Sequence, residues 1–242
     1  MKHSNVMMIT GASRGLGKTL ALYFAKQGTN LAICSRNALE IQAVQREAEQ
    51  LGAEVVAVTA DVSNQADVER FVSITEHHFG QIDILINNAS IFGPGPLYLS
   101  DYPEYEFKKV LDVNLLNPFL VTKRVLPGML ARGTGSIINL TSEVGQTGYA
   151  EWGAYAVSKF AVEGMTQVWA DELDSTGVRI NLVDPGEMDT VMHQIAVPDC
   201  DYELAQPKDV IDVFSYLASD AAKEINGQRF QAQAFSKKEE AR

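Results

Sequence analysis

A doubly wound parallel α/β sheet of about seven strands, with helices on both faces, is the fold class this sequence predicts. Two observations carry that expectation. Short apolar runs alternate strictly with longer segments of helical period, a pattern that feeds a parallel sheet through helical crossovers. The runs are also continuous rather than polar at every second residue, as strands buried on both faces must be. At 242 residues the chain suits one domain spanning residues 1–242 and leaves no room for a separate substrate domain.

The elements follow in order. Val6 to Ile9 reads as a strand and Gly15 to Gln27 as a helix, then Asn30 to Cys34 as the second strand. Ala38 to Leu51 reads as a helix with Leu39, Ala43, Val44 and Ala48 as its apolar stripe. Glu54 to Val58 is the third strand, Gln65 to Phe79 the third helix and Ile82 to Ile86 the fourth strand. Phe92 to Pro96 is a breaker-rich loop. A long helix is expected from about Tyr102 to Ala131, with Pro118 and Pro127 as kinks. Ser136 to Leu140 is the fifth strand, Gly153 to Thr176 another long helix and Val178 to Val183 the sixth strand. Residues 188–206 read as a short substrate loop. Pro207 to Ser219 is the last helix, Gln228 to Ala232 the last strand, and 236–242 a frayed charged tail.

Composition narrows the function. Hydrophobic residues at 46% and charged residues at 21% exclude a disordered, collagen-like or coiled-coil chain. A net charge of -11 repels phosphate backbones and anionic headgroups, so neither nucleic acid nor a membrane is an expected partner. The two cysteines, Cys34 and Cys200, are far apart and show no metal-ligand spacing. No metal and no disulfide framework are expected, and a reducing cytoplasm is the default location. Only four apolar residues precede the first turn, too few for a signal peptide, and no run reaches 18 apolar residues.

Thr10 to Gly17 forms a glycine-rich loop between the first strand and first helix. Gly11, Gly15 and Gly17 permit a tight turn and close approach of a ligand, and the helix N-terminus beyond Ser13, Arg14 and Leu16 offers free N–H groups to a phosphate. Packing alone explains many such loops. The position after strand one favours a dinucleotide, as in a Rossmann-like sheet. An NAD-selective site places an acid at the end of strand two, but this chain has Cys34-Ser35-Arg36-Asn37 there. Arg14 and Arg36 suit the 2′-phosphate of NADP through forked hydrogen bonds, the alternative being two solvated arginines. Asp61, before Val62, either accepts from an adenine amino group or caps the next helix. Asn87-Asn88-Ala89-Ser90 lets a flat ring lie against the chain, or makes an Asx turn.

Tyr155 and Lys159 sit four apart on one helical face, where an ammonium lowers the phenol's pKa from about 10. Tyr155 then suits general acid–base work at a carbonyl or alcohol. Ser142 ends strand five on the ligand-binding edge of the sheet. With these residues in place, the chain resembles a short-chain dehydrogenase/reductase of the compact type. The matching features are Thr10-Gly-x-x-x-Gly-x-Gly17, Asn87-Asn88-Ala89, Asn114, Ser142, Tyr155-x-x-x-Lys159 and Pro185-Gly186-x-x-x-Thr190. The resemblance covers residues 6 to about 230. It implies that Tyr155 transfers the proton, Ser142 binds the substrate oxygen, and Lys159 tunes Tyr155 and holds the nicotinamide ribose. It further implies that Asn114 holds a water that links Lys159 to solvent. Pro185 to Thr190, Gly186 and Met188 included, would cradle the carboxamide.

Three departures from the family pattern stand out. Ser90 replaces a glycine, Asp184 precedes Pro185 in place of a neutral residue, and the last strand lacks an Asp-Gly-Gly ending. Phe92, Glu143, Tyr149, Trp152 and Met192 flank the motifs and are expected to line an apolar substrate pocket, with core packing as the alternative, for Met192 above all. The expected activity is NADPH-dependent interconversion of a carbonyl and a secondary alcohol on a small, largely apolar substrate. Arg124 and Arg132 are the basic residues available to an acyl-carrier substrate. Other readings are a 3-oxoacyl-carrier-protein-reductase-like enzyme, a non-catalytic dinucleotide sensor, an epimerase of the larger related type, or a methyltransferase. Leu111, Leu115, Val121, Val125, Phe160, Met165 and Trp169 put apolar surplus on the two long helices. Family members pair these helices between subunits, which implies a homo-oligomer, a tetramer or a dimer.

Overall fold

The computed structural model describes residues 4–235, so the expected tail at 236–242 lies outside the described residues. Seven strands form one parallel sheet in the order 3-2-1-4-5-6-7. They are β1 (Val6–Thr10), β2 (Asn30–Ser35), β3 (Val55–Thr59), β4 (Ile84–Asn87), β5 (Gly135–Leu140), β6 (Val178–Asp184) and β7 (Arg229–Gln231). The helices are α1 (Gly15–Lys26), α2 (Ala38–Gln50), α3 (Gln65–Phe79), α4 (Glu104–Leu111), α5 (Asn117–Arg132), α6 (Gly153–Glu172), α7 (Val191–Ala196) and α8 (Ile211–Leu217).

Successive strand residues point to opposite faces, so each apolar strand feeds two cores. Met7, Ile9, Leu31 and Ile33 pack with Leu20 and Phe24 of α1, Val44 of α2 and Phe214 of α8. Met8, Ala32, Leu85 and Ile137 pack with Phe71 of α3, Val125 and Met129 of α5 and Trp169 of α6. The chain winds outward in both directions from the β1–β4 junction. At that switch point the carboxyl ends of the strands open a crevice.

Several expectations are corrected. Leu39 is 79% exposed; α2 buries Val44 and Ala48 as expected, with Ile41 in place of Leu39. Asn37 caps the helix through Leu39 N and Glu40 N, which turns the Leu39 side chain away from the sheet. The long helix of residues 102–131 is two helices joined by a π-turn at Asp112–Leu116. Pro118 has no N–H to offer four residues back, and the ladder widens in the turn just before it. Val121 and Val125 belong to the core rather than to a surface surplus. The segment 188–206 carries α7, whose N-cap Thr190 accepts from His193 N, and a bridge from Met188 to Ala205. The last helix begins as a 3-10 turn at Pro207–Val210, and the last strand shrinks to Arg229–Gln231.

Candidate active site

A cleft of about 920 Å³ lies over the carboxyl ends of the strands. Its floor is the loop after β1. Gly11 has φ +68°, and a Cβ there would fall 2.8 Å from Ala89 Cα. A Cβ on Gly17 would fall 2.4 Å from the Gly11 carbonyl oxygen. The side chain of Asn88 donates to the carbonyls of Thr10 (2.9 Å) and Gly11 (3.0 Å). Thr10 Oγ1 in turn accepts from Asn88 N and Ala89 N. These bonds sew the ends of β1 and β4 together beneath the cleft.

Ser13, Arg14, Gly15, Leu16, Ser35, Arg36, Asp61, Val62 and Ala89 line this half of the cleft. α1 begins after Arg14 with no side-chain cap and no acid in its first turn. Its first N–H groups therefore lack side-chain partners. Arg14 and Arg36 are exposed, and their side chains make no hydrogen bond or ion pair among the described residues. Ser35 Oγ donates to the Asn37 carbonyl at 3.1 Å. Asp61 does not cap α3, a task that Asn64 performs. Instead its Oδ1 accepts from Ser63 N and Ser63 Oγ. Asn87 departs further from expectation. Its amide turns away from the cleft and donates to Thr122 Oγ1 (3.0 Å) and Asn139 Oδ1 (2.8 Å). A side chain at the end of a buried strand alternates away from the cleft when its neighbour faces it.

The other half of the cleft gathers the polar residues of β5 and α6. Tyr155 and Lys159 occupy one face of α6 and are 8% and 3% exposed. The Ser142 hydroxyl lies beside the Tyr155 phenol and favours its ionised form. Lys159 Nζ donates to the Leu140 carbonyl at 2.9 Å and lies 5.4 Å from the Tyr155 ring centre. Asn114 sits in the π-turn, where its Nδ2 donates to the Ile91 carbonyl (2.9 Å) and Ser158 Oγ (3.0 Å). Its Oδ1 accepts from Ile91 N at 2.8 Å. Asn114 thus fixes the loop after β4 to α6.

Burial governs the charges here. It pushes the Tyr155 phenol well above the ordinary tyrosine value, and the Asp184 carboxylate adds to this while the Ser142 hydroxyl opposes it. It pulls Lys159 down to about 8, with Asp184 opposing. The expected lowering of the phenol is overturned in the free chain, because desolvation by burial dominates.

Pro185, Met188 and Thr190 close the far wall, while Gly186 N donates to Asp184 Oδ1 behind it. Phe92 and Met192 line the cleft. Trp152 does not, and packs edge-on to Phe92 at 5.4 Å. Glu143 and Tyr149 are also outside it, bonded to each other at 2.7 Å on the exposed surface. A turn of 3-10 helix at Glu143–Gly145 directs them outward. Two charged groups behind the site, one buried and one partly buried, escaped the sequence reading. They are Glu163 and Arg229, which lie 66 positions apart and form an ion pair at 2.9 Å.

The family model for the short chain dehydrogenases matches residues 5–201. The chain is a short-chain dehydrogenase. As such it is an oxidoreductase acting on carbonyl and alcohol groups. This short-chain dehydrogenase is 34% identical over 231 residues to a 3-oxoacyl-[acyl-carrier-protein] reductase of Staphylococcus epidermidis, covering 91% of the chain and 94% of the relative. A short chain dehydrogenase structure from Pseudomonas syringae superposes with a TM-score of 0.90 at 35% identity, covering 95% and 94% of the two chains. A second, from Escherichia coli and complexed with NADPH, has a TM-score of 0.87 at 30% identity, covering 95% and 96%. No helix among the described residues is long and apolar enough to cross a membrane. No group of three or more His, Cys, Asp or Glu among them could hold a metal ion.

Proposed function

We propose that this dehydrogenase prefers NADPH and interconverts a carbonyl and a secondary alcohol on a small, largely apolar substrate. The observation that carries the reading is one cleft lined by both the uncapped N-terminus of α1 and the Tyr155 and Lys159 side chains, with Ser142 beside the Tyr155 phenol just outside its lining. The residues fit a phosphate-bearing dinucleotide. Free N–H groups at α1 suit the pyrophosphate. The unpaired Arg14 and Arg36 suit a 2′-phosphate, beside a strand end, Ser35-Arg36-Asn37, that carries no acid. Bound there, the reduced nicotinamide supplies a hydride.

Negative charge then grows on the substrate oxygen. Ser142 Oγ and Tyr155 Oη donate hydrogen bonds to that oxygen, and Tyr155 passes it the proton. The high phenol pKa keeps Tyr155 protonated and ready. Lys159 spends one of its three donors on Leu140, which leaves the others for a ribose hydroxyl. Its positive charge eases formation of the phenolate. Asn114 holds the Ile91 backbone and the helix that carries the pair. Oxidation of the alcohol reverses each step.

The relatives named as acyl-carrier-protein reductases make a carrier-bound 3-oxoacyl group the second reading. The surface favours the free carbonyl. Residues 187–206 carry Glu187, Asp189, Asp199, Asp201 and Glu203 and no lysine or arginine, which suits an acidic carrier poorly. Arg124 is held by Glu69 and Glu76, and Arg132 by the Ile82 and Gly128 carbonyls. A panel of free carbonyls, alcohols and 3-oxoacyl carrier substrates, followed by nicotinamide absorbance with both cofactors, tests the reading. Faster turnover of the carrier-bound substrate would reverse the order.

The same reading extends to assembly and location. Val157 and Phe160 of α6, Phe119 of α5 and Leu116 of the π-turn are exposed and apolar, and they suit a homo-oligomer, a tetramer or dimer. Cys34 and Cys200 are unpaired, in keeping with a reducing cytoplasm.

A further inference from the structure

Asp184 is an acid at the end of β6, only 6% exposed, and the catalytic scheme gives it no task. Its surroundings do. Arg229, the first residue of β7, reaches behind the active site and is 16% exposed. Its Nη2 donates to Asp184 Oδ2 at 2.9 Å and to the Ser142 carbonyl at 3.1 Å. Its Nε donates to Glu163 Oε1 at 2.9 Å. Glu163 lies one turn beyond Lys159 on α6 and also accepts from Thr141 Oγ1 at 2.8 Å. Asp184 Oδ1 accepts from Gly186 N at 2.9 Å. One guanidinium therefore ties together the end of β5, the helix bearing Tyr155 and Lys159, and the turn after β6. Together with Lys159 the cluster holds two acids and two bases, so its charges balance.

We propose that Arg229 is a positioning residue, which clamps Ser142, Glu163 and Asp184 and offsets the Asp184 charge that the Tyr155–Lys159 pair feels. The charged groups facing Tyr155 are Asp184 from β6 and Lys159 from its own helix. The loop after β4, the segment before α6, and α7 pack apolar side chains around it, Phe92, Trp152, Met192 and Ala196 among them. Asp184 raises both members of the pair. Removing its charge must lower both, and removing the opposing Arg229 charge must raise both. A purely structural role gives no such opposite signs.

The test uses the cofactor-free protein with 13Cε-labelled lysine. The Lys159 signal is assigned by its loss in Lys159→Met. Asp184→Asn keeps the shape and an acceptor for Gly186 N–H. It is expected to move the Lys159 midpoint to lower pH by about one unit, and Arg229→Gln to higher pH by a similar amount. Arg229→Lys restores the charge and returns the midpoint toward wild type, while losing the fork and hence turnover. If Arg229→Gln fails to fold by near-ultraviolet circular dichroism, Arg229→Met, which keeps the side-chain length without the charge, supplies the neutral variant and is expected to shift the midpoint the same way. An unchanged midpoint in Asp184→Asn or in the neutral Arg229 variant, or shifts of both in one direction, overturns the proposal. The rate arm rests on the proposed function: the alkaline limb of kcat/KM for reduction moves with the Lys159 midpoint. Opposite midpoint shifts in a chain that reduces no carbonyl would sink the function and leave the clamp standing. Tyr155-dependent reduction with fixed midpoints would sink the clamp alone.

Discussion

Arg36 stands at the end of β2 with no partner among the described residues, so its guanidinium is free for a ligand. Hydrogen bonds to ionised groups are worth about 1.5–3 kcal/mol. Arg36→Ala is therefore expected to raise the KM for NADPH by about tenfold or more and to leave NADH nearly unchanged. Equal weakening of both cofactors would show that Arg36 does not read the phosphate. Lys159 gives a pH prediction. Its ammonium titrates near 8 in the free chain and aids phenolate formation only while charged. The kcat/KM for reduction is expected to fall as pH rises through about 8, and a profile flat to pH 10 would contradict this. The motif residues were legible because their chemistry is local: Tyr155 and Lys159 share a helical face by spacing alone. Arg229 and Glu163 were not, since only the β6–β7 pairing brings them together. Asn87 was misread because its motif gives no side-chain direction at the end of a buried strand.

The first turn of α1 shows how an element makes a site. Gly17 brings the helix against the Gly11 carbonyl and the Asn88 amide, at separations that leave no room for a methyl group. Gly17→Ala must push α1 off the β1–β4 junction. Overpacking of this kind costs about 1–3 kcal/mol. The expected result is a lower Tm together with loss of dinucleotide binding, checked by thermal unfolding and by fluorescence titration. An unchanged Tm with normal binding would refute the close approach. Element identity was readable because apolar runs and helical periods differ in kind. The π-turn at Asp112–Leu116 was hidden because widening one turn leaves the apolar spacing almost intact. α7 was hidden because six residues are too few to establish a period.

At the scale of the whole molecule, the reversal of strand order at β1 and β4 places the glycine loop, Asn88 and Tyr155 around one crevice. That arrangement was legible because strict alternation of strands and helices admits few right-handed topologies. The exposed apolar residues on α5, α6 and the π-turn belong to this scale as well. They are expected to give a dimeric or tetrameric mass by light scattering at micromolar protein, and a monomeric mass would contradict the proposed assembly. The central claim is that Tyr155 supplies the proton to the substrate oxygen. Tyr155→Phe removes one oxygen and keeps the ring packed on Phe92. A lost general acid costs about 10²–10⁴-fold, and here the same hydroxyl also stabilises the oxyanion. The deciding measurement is kcat of Tyr155→Phe on an active carbonyl, with NADPH binding followed by fluorescence beside it. A loss of about 10⁴-fold with binding intact is the expected result, and near-normal turnover would contradict the tyrosine mechanism.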